Sequence, residues 1–592
     1  MKKNIIYVLI DSLNYKHLKE SKVNLMPFFQ SLKKDALYCE NMFSEAPYTE
    51  AALMCSFCGQ DVLDYNGYIN RFRDTPLTIF EAMKAKGYYT FTTSYSPQCF
   101  PTSLMRGVDE YKYNVGYDPA ALWSYRFYHY AHLYKKGEIT DKDYQEIYDI
   151  LDNNFLEWKQ WLTDLKEEKS TTSMISTNSK SYDVDKKMKE VSLEIEKYEQ
   201  DKKAYVISIF NSGTKHMIFK IGGFKQDNKA KNRDNVNLIS RDLNKLAKRI
   251  KKMDYDLNKK NCKGYKQGPR NKLKEFFKHP SIYNLKNYAK AWLGARNVLH
   301  DLDLDERVNK NYDSFKDGPS FRTHVDVFSE WVKAYDKKQP YFAILHVDDI
   351  HNPEEFFTYD SDDLELLAKE IKDANDLLDE IPDDYYGSLT HDLSLRYIDG
   401  VVKYLYEKLE ETHQLENTIV MLCADHGFSF SGNPMRDTYV VNFFLENYNI
   451  PFLVTGSDYK GVQIDKLCQS KDIPATLCDL ADGVVPKEFS GRSVLRNDNN
   501  YSSVIVEYCG GGCPDIHRRE LMLAAFDFDY FVGTLGTLDK ELNIKEIYDL
   551  KEDPRQYHNL INEKDKLLES PKIKALLERI ENRRKSIKEK AL

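Results

Sequence analysis

Five short apolar runs along the chain have the length and composition of buried β-strands. They are NIIYVLI (4–10), YFAILHV (341–347), TIVMLCA (418–424), PFLVTG (451–456) and SVIVEY (503–508). Runs that are apolar without alternation are typical of strands covered on both faces, as in a parallel sheet. We therefore expect these segments to form a buried, mostly parallel sheet.

Amphipathic helical patterns lie between the runs. In SLRYIDGVVKYLYEKLEET, Leu395, Ile398, Val402 and Leu405 recur every three or four residues and so share one face of a helix. Strands that alternate with helices predict an α/β fold. Ligands of an open parallel sheet bind beyond the carboxyl ends of its strands, which directs attention to the residues that follow each run.

Residues 115–320 do not show this alternation of strand and helix patterns. They are charged and helical in pattern, and we expect them to form a helical insertion into the α/β domain. Within them, residues 225–278 carry 18 Lys/Arg against 6 Asp/Glu, with apolar positions at helical spacing. Such a basic amphipathic helix fits a peripheral contact with an anionic membrane or a polyanionic substrate. On general grounds, a solvated face over a small helical core is the more common role of such a helix.

The composition is that of a globular protein: 592 residues, 42% hydrophobic and 30% charged, with a formal net charge of -8. This charge argues against a nucleic-acid partner. No segment approaches the roughly 20 apolar residues of a membrane span, and the apolar run over 5–10 is too short for a signal sequence. We therefore expect a soluble, cytoplasmic protein whose ten cysteines are reduced, several of them in its core.

Chemically active side chains follow three of the runs. Asp11 ends the first run, Asp425 and His426 follow the run at 418–424, and His351 comes shortly after the run at 341–347. Carboxylates and imidazoles are ligands suited to Zn, Mn or Mg. A single aspartate at a strand end is often only a helix cap, but the coincidence at successive strand ends predicts a metal site.

A candidate nucleophile lies in SEAPYTEAALMCSFCG (44–59). The pattern predicts a short helix that starts near Thr49 and ends at Gly59. Free backbone N–H groups at the start of that helix favour a tetrahedral anion, and a metal there lowers the pKa of the Thr49 hydroxyl. The alternative is that Thr49 is only the N-cap of the helix.

The order of these motifs resembles the sulfatase-like branch of the alkaline phosphatase superfamily, which includes sulfatases, phosphonate and phosphodiester hydrolases, and phosphoglycerol or phosphoethanolamine transferases. The matching segments are NIIYVLIDSLNYKHL, LMPFFQSLKKDALYCENMFSEAPYT, LTIFEAMKAKGYYTFTT, FAILHVDDIHNP, TIVMLCADHG, KDIPATLCDLADGVVPKEFSGRSVL and EIYDLKEDPRQYHNL. Together they cover most of the chain outside the helical insertion.

The resemblance implies an alkaline-phosphatase-like α/β/α sandwich around a mostly parallel sheet, with a large helical insertion and a smaller C-terminal α+β subdomain. The expected divisions are 1–114 for the first part of the core with the nucleophile, 115–320 for the insertion, 321–495 for the second part of the core, and 496–592 for the C-terminal subdomain.

The resemblance also implies roles for individual residues. Asp11, Thr49, Asp425 and His426 would ligate one divalent ion (Mn, Zn, Mg or Ca), with Thr49 also the nucleophile. His351 would contact the transferred group or the leaving oxygen.

A weaker second ion is left open. Two-metal relatives carry an Asp-x-x-x-His pair, whereas Asp348 and His351 are only three positions apart. Asp348, Asp349 and His346 are the candidates for such a second site.

The run Thr49-Glu50-Ala51-Ala52-Leu53 departs from the C/S-x-P-x-R context in which true sulfatases make formylglycine. An unmodified threonine fits the phosphoryl-transfer members better. We therefore expect hydrolysis or transfer of a phosphate ester, either a phosphodiester or a phosphomonoester. A sulfuric ester hydrolase without formylglycine and a catalytically silent binding protein on the same fold are the alternatives.

Cationic side chains suggest an anionic substrate, such as an ester on a glycan or lipid. Arg436 follows the metal pair, and His517 and Arg518 follow the glycine-rich turn of EYCGGGCPDIHRRE. Cys509, Cys513 and His517 do not match a common structural zinc site. The C-x-x-C of CSFC (55–58) is interpreted as core packing. The oligomeric state is not predicted.

Overall fold

A computed structural model describes residues 2–21, 24–68, 70–94, 104–113, 130–167 (except 132), 183–218 (except 214 and 215), 321–347, 350, 389–429, 443–510 (except 499) and 516–590 (except 518), with a few isolated positions between 252 and 289. The basic helix predicted over 225–278 lies almost wholly outside these residues.

Nine strands form the main sheet. They are β1 (Asn4–Ile10), β2 (Leu37–Phe43), β3 (Tyr89–Ser94), β4 (Glu110–Tyr113), β5 (Tyr341–Val347), β6 (Thr418–Ala424), β7 (Asn449–Thr455), β8 (Val462–Ile464) and β9 (Cys468–Gln469). Their order is β4-β3-β5-β1-β6-β7-β2-β8, with β9 beside β2. Strand β1 is central and runs parallel to both β5 and β6, so the carboxyl ends of these three strands lie side by side.

Two of the predicted parallel strands run the other way. β7 is antiparallel to both β6 and β2, so the prediction for 451–456 was wrong. The run at 503–508 was also wrongly placed, because it belongs to a separate antiparallel sheet. That sheet consists of β10 (Val504–Tyr508), β11 (Leu521–Phe526), β12 (Tyr530–Gly536) and β13 (Asn543–Asp549). Both runs are almost wholly buried, and an apolar run reports burial rather than strand direction.

The helices cover the main sheet and build a separate helical region. They are α1 (Tyr15–Glu20), α2 (Pro27–Leu32), α3 (Thr49–Cys58), α4 (Ile79–Ala85), α5 (Asp141–Lys166), α6 (Val184–Gln200), α7 (Lys202–Ser212), α8 (Phe321–Ala334), α9 (Leu389–Glu411), α10 (Asp472–Asp482), α11 (Lys564–Leu567) and α12 (Pro571–Lys590).

Neighbouring residues of β5 show that helices lie on both faces of the sheet. Successive side chains of a strand point to opposite faces. Tyr341 contacts Trp331 of α8, with ring centroids 5.5 Å apart, whereas Phe342 contacts Phe80 of α4 at 5.8 Å. Helix α9 packs against α8 and α2, and α10 packs against α3 and α4. This arrangement confirms the α/β/α sandwich.

Two further regions complete the fold. Helices α5 to α7 pack around their own hydrophobic core, which includes Trp158, Tyr198 and Tyr205. The C-terminal helix α12 packs against β11 and β12 of the small sheet. The exact domain divisions at 114, 320 and 495 stay predictions. Within the described ranges, none of the helices combines the length and apolar character needed to cross a bilayer.

Candidate active site

The register of the sheet brings two acidic strand ends together. Ile10, the last residue of β1, pairs with Ala424, the last residue of β6, and also with Val347 of β5. Asp11 and Asp425 are the next residues of their strands and are both buried. Two carboxylates therefore meet at the carboxyl edge of the sheet, where a ligand site was expected.

Thr49 is the first residue of α3 and faces these carboxylates. Its Oγ1 donates to Asp11 Oδ2 over 3.1 Å and lies 3.3 Å from Nε2 of His426. The N-cap position belongs to Tyr48, whose backbone is extended. The alternative interpretation of Thr49 as only a helix cap was therefore wrong, because its hydroxyl is directed at the acidic pair.

The ring of His426 is held in one tautomer. Nδ1 lies 2.6 Å from the carbonyl oxygen of Gly427, and a carbonyl can only accept, so Nδ1 carries the proton. In the neutral ring Nε2 then presents a lone pair toward Asp11 Oδ1 and Asp425 Oδ2, each 3.6 Å away. A backbone partner that fixes the ring in this way is typical of a metal-ligating histidine.

Ser12 positions both carboxylates, although it was not among the predicted site residues. Its Oγ donates to Asp11 Oδ1 at 2.6 Å, and its backbone N–H donates to Asp425 Oδ1 at 3.2 Å. The backbone of Ser12 is left-handed, with φ of 61°, an uncommon conformation for a residue other than glycine. One residue thereby orients an oxygen of each aspartate, and its position directly after Asp11 was the available signal.

The electrostatics of Asp425 favour a cation. Burial, with the neighbouring charge of Asp11, raises the pKa of Asp425 to about 6. Its Oδ1 accepts from the N–H groups of Ser12 and His426, but its buried Oδ2 receives no well-formed hydrogen bond from the described residues. An unsatisfied buried carboxylate oxygen beside a second carboxylate and an imidazole fits a divalent ion.

His346 lies in the same cluster. One donor atom each from His346, Asp11 and Asp425 lie within 4.8 Å of one another. His346 was predicted only as a ligand of a weaker second site, whereas the structure places it beside the same two carboxylates. Its position on β5, adjacent to β1, accounts for this proximity.

The other predicted site residues are distributed differently. His351, Arg436 and Arg518 lie outside the described residues, as do Asp348, Asp349 and Cys513. His517 pairs with the exposed Asp539, with 3.3 Å between Nδ1 and Oδ2. Cys55 and Cys58 are fully buried, in agreement with their interpretation as core residues.

Two tyrosines connect the start of α3 to the glycine-rich turn. The hydroxyls of Tyr48 and Tyr68 both donate to the carbonyl of Gly510. The Tyr68 hydroxyl also accepts from the backbone N–H of Cys509. Gly510, the first of three consecutive glycines before His517, therefore lies close to Tyr48, the residue that precedes Thr49.

A buried network of charges lies next to the segment that leads into α3. Lys471 pairs with Glu45 at 3.0 Å and with Asp61, while Arg583 of α12 pairs with Glu507 of β10. The network also includes Asp64, which accepts from Arg583 and from Lys590, each at 2.7 Å.

Comparison with known proteins identifies a family for this chain. The family model for sulfatases matches residues 3–259 and 250–484. Delta 4,5-hexuronate-2-O-sulfatase of Bacteroides thetaiotaomicron is 29% identical over 183 residues, which are 28% of this chain and 34% of that protein. An arylsulfatase of Clostridium perfringens is 28% identical over 193 residues, which are 31% of this chain and 36% of that protein. The chain thus spans about a third of the length of these relatives.

The likeness to solved structures extends over the whole fold. One structure from Bacteroides thetaiotaomicron, described with the metabolism of multiple glycosaminoglycans, superposes with a TM-score of 0.52 at 12% identity. The match covers 99% of this chain and 97% of the other, and at this identity it shows the fold alone. With the family model matching most of the sequence, the chain belongs to the sulfatase family.

Proposed function

We propose that this chain is a metal-dependent ester hydrolase or transferase in which the Thr49 hydroxyl attacks a phosphate ester. The observation that carries the proposal is the position of Thr49 Oγ1, which lies 3.1 Å from Asp11 and 3.3 Å from His426 at the first turn of α3. Asp11, Thr49, Asp425 and His426 would hold one divalent ion. When bound, that ion lowers the pKa of the hydroxyl and stabilises charge on the transferred group.

The residues of the chain prepare the attack. The Thr49 hydroxyl donates its proton toward Asp11 Oδ2, which directs an oxygen lone pair away from the carboxylate. Oγ forms a bond to phosphorus as its proton passes to Asp11 Oδ2, and the bond to the leaving oxygen breaks. The leaving oxygen takes up a proton, for which His351 is our candidate donor, and Thr49 is left phosphorylated. Water or an alcohol then cleaves this ester by a second attack at phosphorus.

The start of α3 provides a second element of the mechanism. Amide groups in the first turn of a helix have no partner within the helix and favour an anion. The oxygens of a phosphoryl group bonded to Thr49 would lie near these groups. His351, Arg436, His517 and Arg518 remain our candidates for contacts with the transferred group or the leaving oxygen.

Sulfate ester hydrolysis is the second candidate. It is favoured by the curated relatives, which are a hexuronate-2-O-sulfatase and an arylsulfatase. The hexuronate relative also supports an anionic glycan ester as the substrate class. Against sulfate stands Thr49 itself, because the segment lacks the residue that is converted to formylglycine. A catalytically silent binding protein is the third candidate, and it predicts no bound metal.

We also propose a reducing, cytoplasmic location. The described cysteines support it, since six of them are free and buried: Cys39, Cys55, Cys58, Cys423, Cys468 and Cys478. Disulfides are typical of oxidising compartments.

The test compares nitrophenyl phosphate, bis-nitrophenyl phosphate and nitrophenyl sulfate as substrates, with Mn, Zn or Mg present. Thr49→Ala should abolish metal-dependent turnover, and Thr49→Ser, which keeps a hydroxyl, should retain part of it. Acid quenching followed by mass spectrometry should detect phosphorylated Thr49. Faster turnover of the sulfate would favour the second candidate. Full activity of Thr49→Ala would disprove the role of this residue.

A further inference from the structure

A second group of ligand-type side chains lies near the candidate active site and shares none of its residues. His17 belongs to α1, six residues after Asp11, and His391 and Asp392 lie in the first turn of α9. One donor atom from each of the three lies within 4.8 Å of the others. Their side chains are 12%, 1% and 3% exposed, so the group is buried with one edge near the surface.

The distances within this group are close to those around a zinc ion. His17 Nε2 lies 2.7 Å from Asp392 Oδ1, and His391 Nδ1 lies 3.8 Å from the same oxygen. Donor atoms of a tetrahedral zinc with bonds of about 2.0–2.1 Å are about 3.3 Å apart. The two observed distances bracket this value, and side-chain movements of about half an ångström would equalise them.

The chemical types also fit a cation. Two imidazoles and one carboxylate form a common donor set for zinc in sites whose fourth ligand is water or substrate. Burial alone would raise the pKa of Asp392, but His17 outweighs it and brings that pKa down to about 2. Burial lowers the pKa of His391. An ionised carboxylate and a neutral imidazole are the forms that bind metal.

The surroundings hold His391 in place. Its ring stacks on Phe428, with centroids 5.9 Å apart and planes inclined by 17°, and meets the ring of His17 edge-on at 5.5 Å. An ion pair of His17 with Asp392 would suffice to join α1 to α9. The second imidazole beside that pair is the feature that a simple ion pair does not require.

We propose that His17, His391 and Asp392 form a zinc-type cation site separate from the cluster at Asp11 and Asp425. The site joins α1, α9 and the segment that follows His426. That segment is also held by Asn14, whose side-chain amide donates to the Phe428 carbonyl at 2.6 Å and whose Oδ1 accepts from the backbone N–H of His17. A zinc ion here would stabilise the support of the active site without contacting the nucleophile.

The test measures zinc binding in a background that lacks the first site. The full chain carrying Asp11→Asn and Asp425→Asn is dialysed against zinc, and bound metal is counted by elemental analysis. We expect one zinc per chain in this background and none after adding His391→Gln or Asp392→Asn. The exposed His558 provides the matched control, since His558→Gln should leave the count at one.

Two further readouts separate the site from a loss of folding. Zinc should raise the thermal unfolding temperature of the background protein, and His17→Gln, at the more exposed edge, should remove that shift while circular dichroism stays unchanged. Bound Co²⁺ should give the visible absorption of tetrahedral coordination. If the background binds no zinc, or still binds one ion after His391→Gln, the proposal is overturned. Neither result depends on turnover at Thr49, so the proposed function is tested separately.

Discussion

Asp425 and Asp61 are two aspartates largely removed from water, and their pKa values move in opposite directions. Burial and the charge of Asp11 raise the pKa of Asp425 to about 6. Burial acts on Asp61 as well, but Lys471 and Arg583 outweigh it and hold that pKa well below its ordinary range. The pKa of a buried aspartate thus depends on whether its neighbours are acidic, as at Asp425, or basic, as at Asp61.

The difference lies in where the compensating charge comes from. The network around Asp61 contains its own lysines and arginine, which belong to the fold. Among the described residues, no lysine or arginine contacts Asp425. A buried acid paired within the chain ties elements together, whereas a buried acid left without such a partner is suited to a cation from solution. By this criterion, Asp61 belongs to the structural framework and Asp425 to the candidate active site.

The largest effect on turnover is expected from removing the charge of Asp425 at the candidate active site. Asp425→Asn should lower turnover about a thousand-fold, because it removes a proposed metal ligand at the point where charge would develop. The same change should raise the unfolding temperature of metal-free protein, since it deletes a buried charge. Steady-state kinetics and thermal unfolding with and without chelator check both. Lower stability of the metal-free variant would contradict the comparison.

Removing a charge from the buried network around Asp61 should instead destabilise the protein. Arg583→Met leaves Glu507 and Asp64 buried without their main partner, which should cost about 3–5 kcal/mol of stability. The urea midpoint measures this loss. Lys585→Met on the same helix is the control, because that lysine is 63% exposed and should change stability by less than about 0.5 kcal/mol. Adding Glu507→Gln to Arg583→Met should recover part of the loss.

A pH dependence is expected from Glu45. Burial raises its pKa to about 7 from an ordinary 4.5, despite the pairing with Lys471. A raised acid pKa gives stability that is present below pH 4.5 and lost as the pH rises through about 7. The stability of the wild type relative to Glu45→Gln should therefore fall by about 3 kcal/mol across this window. Urea unfolding at several pH values measures it, and a constant difference would show that Glu45 keeps its ordinary pKa.

A smaller effect, on metal affinity, is expected from replacing Ser12. Ser12→Ala removes the hydroxyl bond to Asp11 and keeps the backbone N–H bond to Asp425. Loss of such an outer partner typically weakens metal binding about 10–100-fold. Metal titration measures the change. Ser12→Gly should lose affinity equally, because it lacks the same hydroxyl, whereas full affinity in Ser12→Gly would assign the effect of alanine to backbone strain.

Much of the fold could be predicted because the main strands are uninterrupted apolar runs. The positions of Asp11, Asp425 and His426 follow from those runs, since a residue that ends a parallel strand lies at the binding edge of the sheet. The direction of β7 could not be predicted, because burial on both faces looks the same for either direction. The side-chain geometry of Thr49 also required the structure, because a threonine before a helix is more often a cap.

Buried residues whose partners are distant in the sequence could not be predicted. Lys471 immediately precedes α10 and Arg583 lies in α12, and solvent exposure is the ordinary expectation for a basic residue. Their burial depends on acids hundreds of positions away, such as Glu45 and Asp64. The grouping of His17 with Asp392 could not be predicted either, because no local sequence pattern links α1 to α9.

The burial of helix α3 has a consequence for the motion of Thr49, the proposed nucleophile. Nine of its ten residues are buried, and it ends at Gly59, whose left-handed backbone, with φ of 59°, lies against the ring of Phe489. A helix enclosed in this way cannot unfold locally without opening the core around it. The amide hydrogens of its interior should therefore exchange with solvent as slowly as those of β1. If Thr49 is the nucleophile, as proposed, it keeps its place between turnovers, and substrate access then depends on the segments around it rather than on movement of Thr49.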